Sequence, residues 1–147
     1  MLLVGLAFSP AVYADHGKSI EYLSSGDTLP SDLPFSEAVR VNETLYLSGQ
    51  LGIKPGTMKL VPGGIRNETR QTMENIKAVL ETHGYRMSDL VKCTVMLADI
   101  AEWATFNEVY REFFEGRFPA RSAFGASGLA LNARVEVECI AAGMPRR

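Results

Sequence analysis

The sequence FPARSAFGASGLALNARVEVECIA, from Phe118 to Ala141, predicts two β-strands joined by a turn of small residues. We expect the strands at residues 121–126 and 133–141, with the turn SGLALN between them. In the second strand apolar side chains alternate with mostly charged ones, so one face of the strand is apolar and the other is largely polar. The stretch therefore predicts a sheet that is covered on one face only.

Upstream of this stretch, the spacing of apolar and turn-forming residues predicts further strands and two helices. The strands are expected at residues 19–23, 35–41, 44–51 and 91–97, and the helices at residues 65–83 and from Trp103 to the stop at Gly116. This order predicts an α+β fold in which a mixed sheet carries both helices on one face.

The sheet face that the helices leave open is expected to carry apolar side chains between polar ones. The candidates on this face are Tyr46, Met96, Phe124 and Ile140. A partly apolar open face is typical of a subunit interface, so we expect the chain to form a homo-oligomer.

The length and the net charge of the chain limit the number of domains and the kinds of partner that it can have. With 147 residues, 46% of them apolar, it is long enough for one core, and we expect a single domain at residues 15–147. The net charge of −2 and the lack of any stretch rich in Lys and Arg argue against a nucleic-acid partner.

The first fourteen residues, MLLVGLAFSPAVYA, differ in composition from the rest of the chain. An apolar run at residues 2–8, a Ser-Pro break and small or β-branched residues before Ala14 resemble the end of a secretory signal. No basic residue precedes Lys18, so the alternative is an apolar tail that packs on the domain. The run is too short to span a bilayer as a helix. We expect a periplasmic or secreted protein if residues 1–14 are a signal, and a cytoplasmic one otherwise.

The two cysteines, Cys93 and Cys139, lie among apolar and β-branched residues, which favours buried thiols. A disulfide between them requires Cα atoms within about 7 Å, and the sequence leaves that open. The two histidines, His16 and His83, are distant in the chain from each other and from the cysteines, so no metal site is expected.

Arg121 and Glu136 are the residues of the Phe118–Ala141 stretch that could carry chemistry. Arg121 offers a planar fork of donors suited to a substrate carboxylate. Glu136 could orient or deprotonate a water molecule, and burial would raise its pKa toward a useful value. Two neighbouring strands could bring them together; the alternative is a cross-strand ion pair without a catalytic role.

Ser48-Gly49-Gln50 offers a hydroxyl, a close backbone approach and an amide at the end of a predicted strand. The alternative is a strand that ends in a bulge. A serine hydrolase is rejected, because the chain has no GxSxG elbow and neither histidine lies in a triad setting. The structural alternative for Asn107 is a solvent-facing helix residue, and for Phe35 it is a core aromatic.

Several segments of the chain resemble the RidA/YjgF family in order and spacing. They are LYLSGQLG, ETRQTMENIKAVL, VKCTVMLADI, FNEVYREFF and PARSAFG with ARVEVECIA, and the resemblance runs from about residue 19 to residue 142. It implies a chorismate-mutase-like, YjgF-type α+β fold. It also implies a homotrimer with a central barrel and one active site in each of the three clefts between subunits.

The resemblance further implies hydrolysis of 2-aminoacrylate, 2-aminocrotonate and their imine tautomers, 2-iminopropanoate and 2-iminobutanoate, to 2-keto acids and ammonia. It implies neither a metal nor an organic cofactor. In this chain Arg121 matches the family arginine that binds the substrate carboxylate, and Glu136 matches the carboxylate that positions the attacking water.

Five more residues match positions around the pocket of the family. Ser48 and Gly49 match residues that line it, and Asn107 matches a helix asparagine beside it. Ala123 falls where many members have a cysteine, a position that contributes through its backbone amide. Phe35 stands where active members often have a tyrosine, which leaves an apolar wall and favours bulky or aromatic imino acids.

Two other functions stand as alternatives. Some relatives of this kind have been described as ribonucleases acting on single-stranded RNA or as translation inhibitors, and the near-neutral charge argues against that function here. The other alternative is a non-enzymatic, chaperone-like protein that binds small carboxylates in clefts between subunits.

Overall fold

The computed structural model describes residue 17 and residues 19–28, 30 and 32–146. The predicted leader at residues 1–14 lies outside these described residues. Within them the chain forms an α+β fold of one mixed sheet and two α-helices, as predicted. No helix in this part of the chain is long and apolar enough to cross a membrane.

The longer helix, α1, spans Gly64–Thr82, one residue from the predicted bounds at each end. Its apolar residues recur every three or four positions, and Met73, Ile76 and Leu80 are completely buried. Gly84 follows the helix with a φ of +85°. A side chain disfavours this backbone conformation, so a glycine ends the helix as expected.

The second helix, α2, spans Trp103–Tyr110 and is shorter than predicted, because a 3₁₀ turn at Arg111–Phe113 follows it. Phe106 and Tyr110 are buried, as the spacing predicts. Trp103 is 45% exposed, so its assignment to the buried face of the helix is wrong. As the first residue of α2 it lies at the rim of the core and lines a surface depression instead.

The strands form one sheet in which β6 is an edge strand. They are β1 (Ile20–Leu23), β2 (Ala38–Val41), β3 (Thr44–Leu47), β4 (Gln50–Leu51), β5 (Leu90–Leu97), β6 (Ala120–Gly125) and β7 (Val135–Ala142). The order is β1-β2-β3-β7-β5-β6, and β4 also pairs with β7. Strands β5 and β6 run parallel, with α2 as the crossover between them. Strand β5 therefore separates β6 from β7.

The predicted strand at residues 35–41 begins later, at Ala38. Phe35 lies in a bend before the strand and is 51% exposed, so both its assignment to the strand and its alternative role as a core aromatic are wrong. The physical reason is the register of β1, which pairs Leu23 with Ala38 and ends there, leaving the residues before Ala38 without a partner strand on that side.

The predicted strand at residues 44–51 is interrupted between β3 and β4. Tyr46 is opposite Ile140 of β7, but Gln50 is opposite Val137, one residue out of register. An extra residue on one strand is a β-bulge, which bends the strand and redirects its side chains. The bulge considered for Ser48-Gly49-Gln50 is therefore confirmed.

The two faces of the sheet differ as the alternation predicts. On one face, the buried side chains of the strands and of both helices form a single core. The members that the sheet contributes include Leu45, Cys93, Val95, Leu97, Val135, Val137, Cys139 and Ala141. The opposite face is open, and it carries Tyr46, Met96, Phe124 and Ile140 as predicted. Tyr46 and Phe124 are 46% and 48% exposed, respectively, on this face.

Candidate active site

Arg121 lies on β6 with its guanidinium group over aromatic residues of α2. Its guanidinium carbon is 4.6 Å from the ring centre of Tyr110 and 5.5 Å from that of Phe106. Nη2 donates a hydrogen bond to Oδ1 of Asn107 at 2.6 Å. Together the two rings and the amide hold the guanidinium in one orientation. Asn107 is thus half-buried and bound to Arg121, and its alternative role as a solvent-facing helix residue is wrong.

The hydrogen-bonding capacity of Arg121 is largely unused. Among the residues that the structure describes, no carboxylate lies within ion-pair distance of it. The alternative of a cross-strand ion pair between Arg121 and Glu136 is therefore wrong. A guanidinium carries five N–H donors, so those not bound to Asn107 are able to grip a carboxylate from outside the chain.

The hydroxyl group of Tyr110, whose ring lies under Arg121, stays uncharged at neutral pH. Burial raises the pKa of Tyr110 to about 12, although the neighbouring Arg121 acts to lower it. The spacing of the sequence predicts Phe106 and Tyr110 only as core residues. Their further role under the guanidinium depends on where β6 lies relative to α2.

A surface depression of 430 Å³ lies beside Arg121 and is lined by Ile100, Trp103, Arg121 and Ala123. Ile100 and Trp103 are about half exposed, and they give this depression an apolar wall. The sequence pattern predicts neither residue as part of a site, since Trp103 fits the apolar spacing of a core-facing helix. We call Asn107, Arg121 and Ala123 the arginine half-site.

Glu136 lies on β7, beside the bulge between β3 and β4. A Cβ atom built at Gly49 would come 2.0 Å from Oε1 of Glu136. Only glycine therefore allows the backbone and the carboxylate to approach so closely. This contact explains why a glycine follows Ser48 at the bulge.

Burial raises the pKa of Glu136, and the negative charge of Glu138 raises it further. No described residue donates a hydrogen bond to its carboxylate. A half-buried carboxylate with a raised pKa is a better proton acceptor at neutral pH than an ordinary one.

Ser48 holds the segment before β2 against the bulge. Its Oγ donates to the carbonyl of Ser36 at 2.7 Å, and its N–H donates to the carbonyl of Glu37 at 3.0 Å. Phe35 directly precedes this tied segment. We call Phe35, Ser48, Gly49 and Glu136 the glutamate half-site.

Within one protomer the two half-sites do not meet. Arg121 is in register with Cys93 of β5, on the helix-covered face, whereas Glu136 is in register with Met96, on the open face. One intervening strand and a three-residue offset put their Cα atoms about 14 Å apart. The prediction that neighbouring strands bring Arg121 and Glu136 together is therefore wrong for a single chain. The reason is the parallel crossover, which leaves β6 at the edge while β7 pairs with the other side of β5.

Cys93 and Cys139 form a disulfide, which settles the question that the sequence leaves open. They are directly opposite each other on β5 and β7, and both are buried in the core. The sequence context correctly predicts that both cysteines are buried. The expectation of free thiols is wrong, because the two cysteines form a disulfide. In the described part of the chain no group of three or more His, Cys, Asp or Glu side chains is arranged to hold a metal ion.

The fold and the site define a small α+β protein in which an oriented arginine and a half-buried glutamate belong to two separate half-sites. A model of the endoribonuclease L-PSP family matches residues 26–143. The chain therefore belongs to this family, which confirms the resemblance found in the sequence.

The chain is similar to a 2-iminobutanoate/2-iminopropanoate deaminase from Bos taurus, with 45% identity over 112 residues, which are 76% of this chain and 82% of that one. Among solved structures, it is similar to YyfA of the Rid protein family from Yersinia pestis, with a TM-score of 0.80 and 36% identity over 85% of this chain and 100% of that one. It is also similar to E. coli TdcF with bound serine, with a TM-score of 0.77 and 28% identity over 84% and 98% of the two chains.

Proposed function

We propose that this protein is an imine deaminase, which hydrolyses 2-iminopropanoate, 2-iminobutanoate and related imino acids, with their enamine tautomers, to 2-keto acids and ammonia. The 45% identity to a deaminase of this name supports the proposal. The observation that carries it is the oriented guanidinium of Arg121, which has no carboxylate partner among the described residues. A positioned arginine with free donors suits a substrate whose constant feature is a carboxylate.

A complete site requires two copies of the chain, because the half-sites lie on opposite faces of the sheet. The assembly that we propose is a homotrimer in which the open sheet faces surround a central barrel. Each seam then joins the arginine half-site of one protomer to the glutamate half-site of the next. Two features support this assembly: Arg121 lies on an edge strand, and Tyr46 and Phe124 expose aromatic surface on the open face.

In the proposed site Arg121 holds the substrate carboxylate through two parallel N–H donors. The structural relative TdcF holds bound serine, which is a small molecule with a carboxylate of the same kind. Gly49 gives Glu136 room to reach the water molecule beside the substrate.

The reaction consumes one water molecule and releases one ammonia molecule. Water adds to the imine carbon while Glu136 accepts one of its protons, and the electrons of the C=N bond move to nitrogen, which takes a proton from solvent. Glu136 then returns its proton to the nitrogen. The C–N bond breaks as ammonia leaves, and the hydroxyl gives a proton to solvent as the C=O bond forms. Positioned acid–base catalysis of this kind contributes about 10²–10⁴-fold.

The substrates that we propose as preferred have bulky or aromatic side chains. Phe35 presents an apolar surface without a hydroxyl in the glutamate half-site, and it is 51% exposed. Ile100 and Trp103 form an apolar wall beside Arg121, next to the arginine half-site. Apolar walls on both sides of a seam favour a substrate with apolar surface to bury.

The test is to generate imino acids in solution with an amino-acid oxidase and to measure ammonia release with and without the protein. We expect Glu136→Gln to lower kcat by about 10²–10⁴-fold, because it removes the proton acceptor. Arg121→Ala is expected mainly to raise KM, because it removes the carboxylate-binding group. The raised pKa of Glu136 means that kcat/KM falls as pH drops through a value above that of an ordinary glutamate.

Glu138→Gln is the matched control, since Glu138 lies two residues further along the same face of β7 and is exposed. This variant should keep a kcat within about threefold of the wild type at neutral pH, because the proton acceptor itself is retained. The pH at which kcat/KM falls should move down, because the charge of Glu138 no longer raises the pKa of Glu136. If Glu136→Gln and Arg121→Ala both hydrolysed imines at the wild-type rate, the assignment of the site would be wrong.

The family description, endoribonuclease, keeps RNA cleavage as the second candidate function. Charge argues against it, because five arginines of the described surface are already paired with carboxylates. They are Arg40, Arg66, Arg70, Arg134 and Arg146. Salt-sensitive cleavage of single-stranded RNA that survives Arg121→Ala would favour the ribonuclease over the deaminase.

The compartment that we propose is an oxidising one, the periplasm or the exterior of the cell. The disulfide between Cys93 and Cys139 supports this, because such bonds form and persist mainly outside the cytosol. The signal-like composition of residues 1–14 points the same way independently.

A further inference from the structure

A buried hydrogen bond between His83 and Glu37 joins the end of α1 to the segment before β2. Nε2 of His83 lies 2.9 Å from Oε1 of Glu37, and the two side chains are 10% and 2% exposed, respectively. Ser25 Oγ donates to both oxygens of Glu37, at 3.1 and 2.9 Å. The carboxylate stands between the serine and the histidine, so the three residues do not form a triad, in which the imidazole contacts the serine.

Glu37 is also tied through its backbone. Its N–H donates to Ser24 Oγ at 3.4 Å, and its carbonyl accepts from the N–H of Ser48 at 3.0 Å. The preceding carbonyl, that of Ser36, accepts from Ser48 Oγ at 2.7 Å. The two residues that follow Phe35 lie outside the strands, and these hydrogen bonds hold them against the bulge.

The neighbours of the Glu37 carboxylate stabilise its ionised form. Burial raises the pKa of Glu37, but hydrogen bonds from His83 and Ser25 more than offset it, so the pKa lies below its usual value. Arg40 of β2 donates to the carbonyl of His83 at 3.1 Å and also pairs with Glu21 of β1. A buried carboxylate with these partners is ionised at neutral pH, and removal of one partner leaves it under-compensated.

We propose that Glu37 and His83 are positioning residues for the glutamate half-site, which set the places of Phe35 and Ser48 without touching the substrate. The proposal rests on the proposed function, since it treats Phe35 and Ser48 as pocket residues. The contact between Glu37 and His83 fixes the segment before β2 to the end of α1, and the segment in turn fixes Ser48. Loss of the contact loosens the wall of the pocket but leaves Arg121 and Glu136 unchanged.

The experiment compares His83→Ala with His83→Gln, whose side-chain amide offers an N–H where Nε2 stands. We expect His83→Ala to raise KM for imino acids about tenfold and to change kcat by less than about threefold, which is the scale of one hydrogen bond to a charged group. His83→Gln should restore most of the wild-type KM. The bond from Arg40 to the carbonyl of residue 83 survives in both variants, so α1 keeps its attachment to β2.

Asp89→Ala is the matched control, because it also breaks a side-chain contact to a carboxylate, in this case the one from Arg146, and that contact touches neither half-site. It should leave KM unchanged. The Kd of 2-ketobutyrate, measured by calorimetry, serves as a second readout that does not require turnover, and it should rise in His83→Ala in parallel with KM. A wild-type protein that binds 2-ketobutyrate but hydrolyses no imine would defeat the proposed function and leave the positioning role to be decided by Kd. Unchanged KM and Kd in His83→Ala, or no rescue by His83→Gln, would overturn the proposal.

Discussion

At the scale of single residues, the proposed site contains a close approach between Gly49 and Glu136. The bulge between β3 and β4 brings the backbone against the carboxylate, where a Cβ atom would be 2.0 Å from Oε1. The clashing atom is the far end of a flexible side chain, so Glu136 is able to turn away from an added methyl group at small cost to the fold. A larger residue at position 49 therefore affects catalysis more than stability.

The prediction for this contact is that Gly49→Ala lowers kcat about tenfold or more while the melting temperature changes little. The methyl group displaces the Glu136 carboxylate from the water that it activates, and a displacement of about 1 Å already costs about 10²-fold in some sites. Kinetics in the imine assay and thermal unfolding measure the two effects.

Gly17→Ala is the control, because Gly17 has no atom within 4 Å of its built Cβ. It should match the wild type in both measurements. If Gly49→Ala kept wild-type kcat, close approach to Glu136 would have no part in the reaction.

At the scale of elements, the pairing of β5 with β7 is the longest in the sheet and carries the disulfide. Cys93 and Cys139 are 46 residues apart in the chain, and the loop that they close contains α2, β6 and the turn before β7. Closing a loop of this length restricts the unfolded chain and stabilises the fold by about 4 kcal/mol in the chain-entropy model.

We therefore expect reduction to lower the free energy of unfolding by about 2–4 kcal/mol, measured by denaturant titration with and without dithiothreitol. The double variant Cys93→Ala/Cys139→Ala serves as the reference, and its stability should not respond to the reductant. Thiols that react with a maleimide in the denatured, unreduced protein isolated from its own cells would contradict both the bond and the oxidising compartment.

At the scale of the whole molecule, the separation of the half-sites makes activity a property of the assembly in the homotrimer that we propose. A protomer that lacks Arg121 still supplies a glutamate half-site, and one that lacks Glu136 still supplies an arginine half-site. In a mixed trimer, one seam pairs the intact half-sites of the two variants.

Mixing Arg121→Ala with Glu136→Gln protomers after unfolding and refolding should therefore restore activity that neither variant shows alone at substrate concentrations far below the KM of Arg121→Ala. Random mixing in equal amounts gives about a quarter of the wild-type activity, because about three quarters of the trimers are mixed and each has one intact seam of three. Light scattering checks the assembly, and a mixture of Arg121→Ala with wild-type-like Glu138→Gln tests for simple dilution. No recovery in refolded trimers would contradict a site formed by Arg121 of one protomer and Glu136 of the next.

Local patterns in the sequence were sufficient to predict most of the helices and strands and the face that each of them buries. The helical spacing of Met73, Ile76 and Leu80 predicts α1, and the alternation along β7 predicts which residues face the core, because both signals depend on residues only a few positions apart. The resemblance to a family named the residues of both half-sites. It could do so because Arg121 and Glu136 stand in segments whose motifs match.

The tertiary structure alone decided which of these residues lie together within one protomer. Strand order separates Arg121 from Glu136, the register of β1 leaves Phe35 outside the sheet, and the pairing of β5 with β7 joins Cys93 to Cys139. The contact between Glu37 and His83 likewise links residues 46 positions apart. Strand pairing and crossover depend on contacts between distant parts of the chain, which compete over the whole fold and leave no signal in any short stretch of sequence.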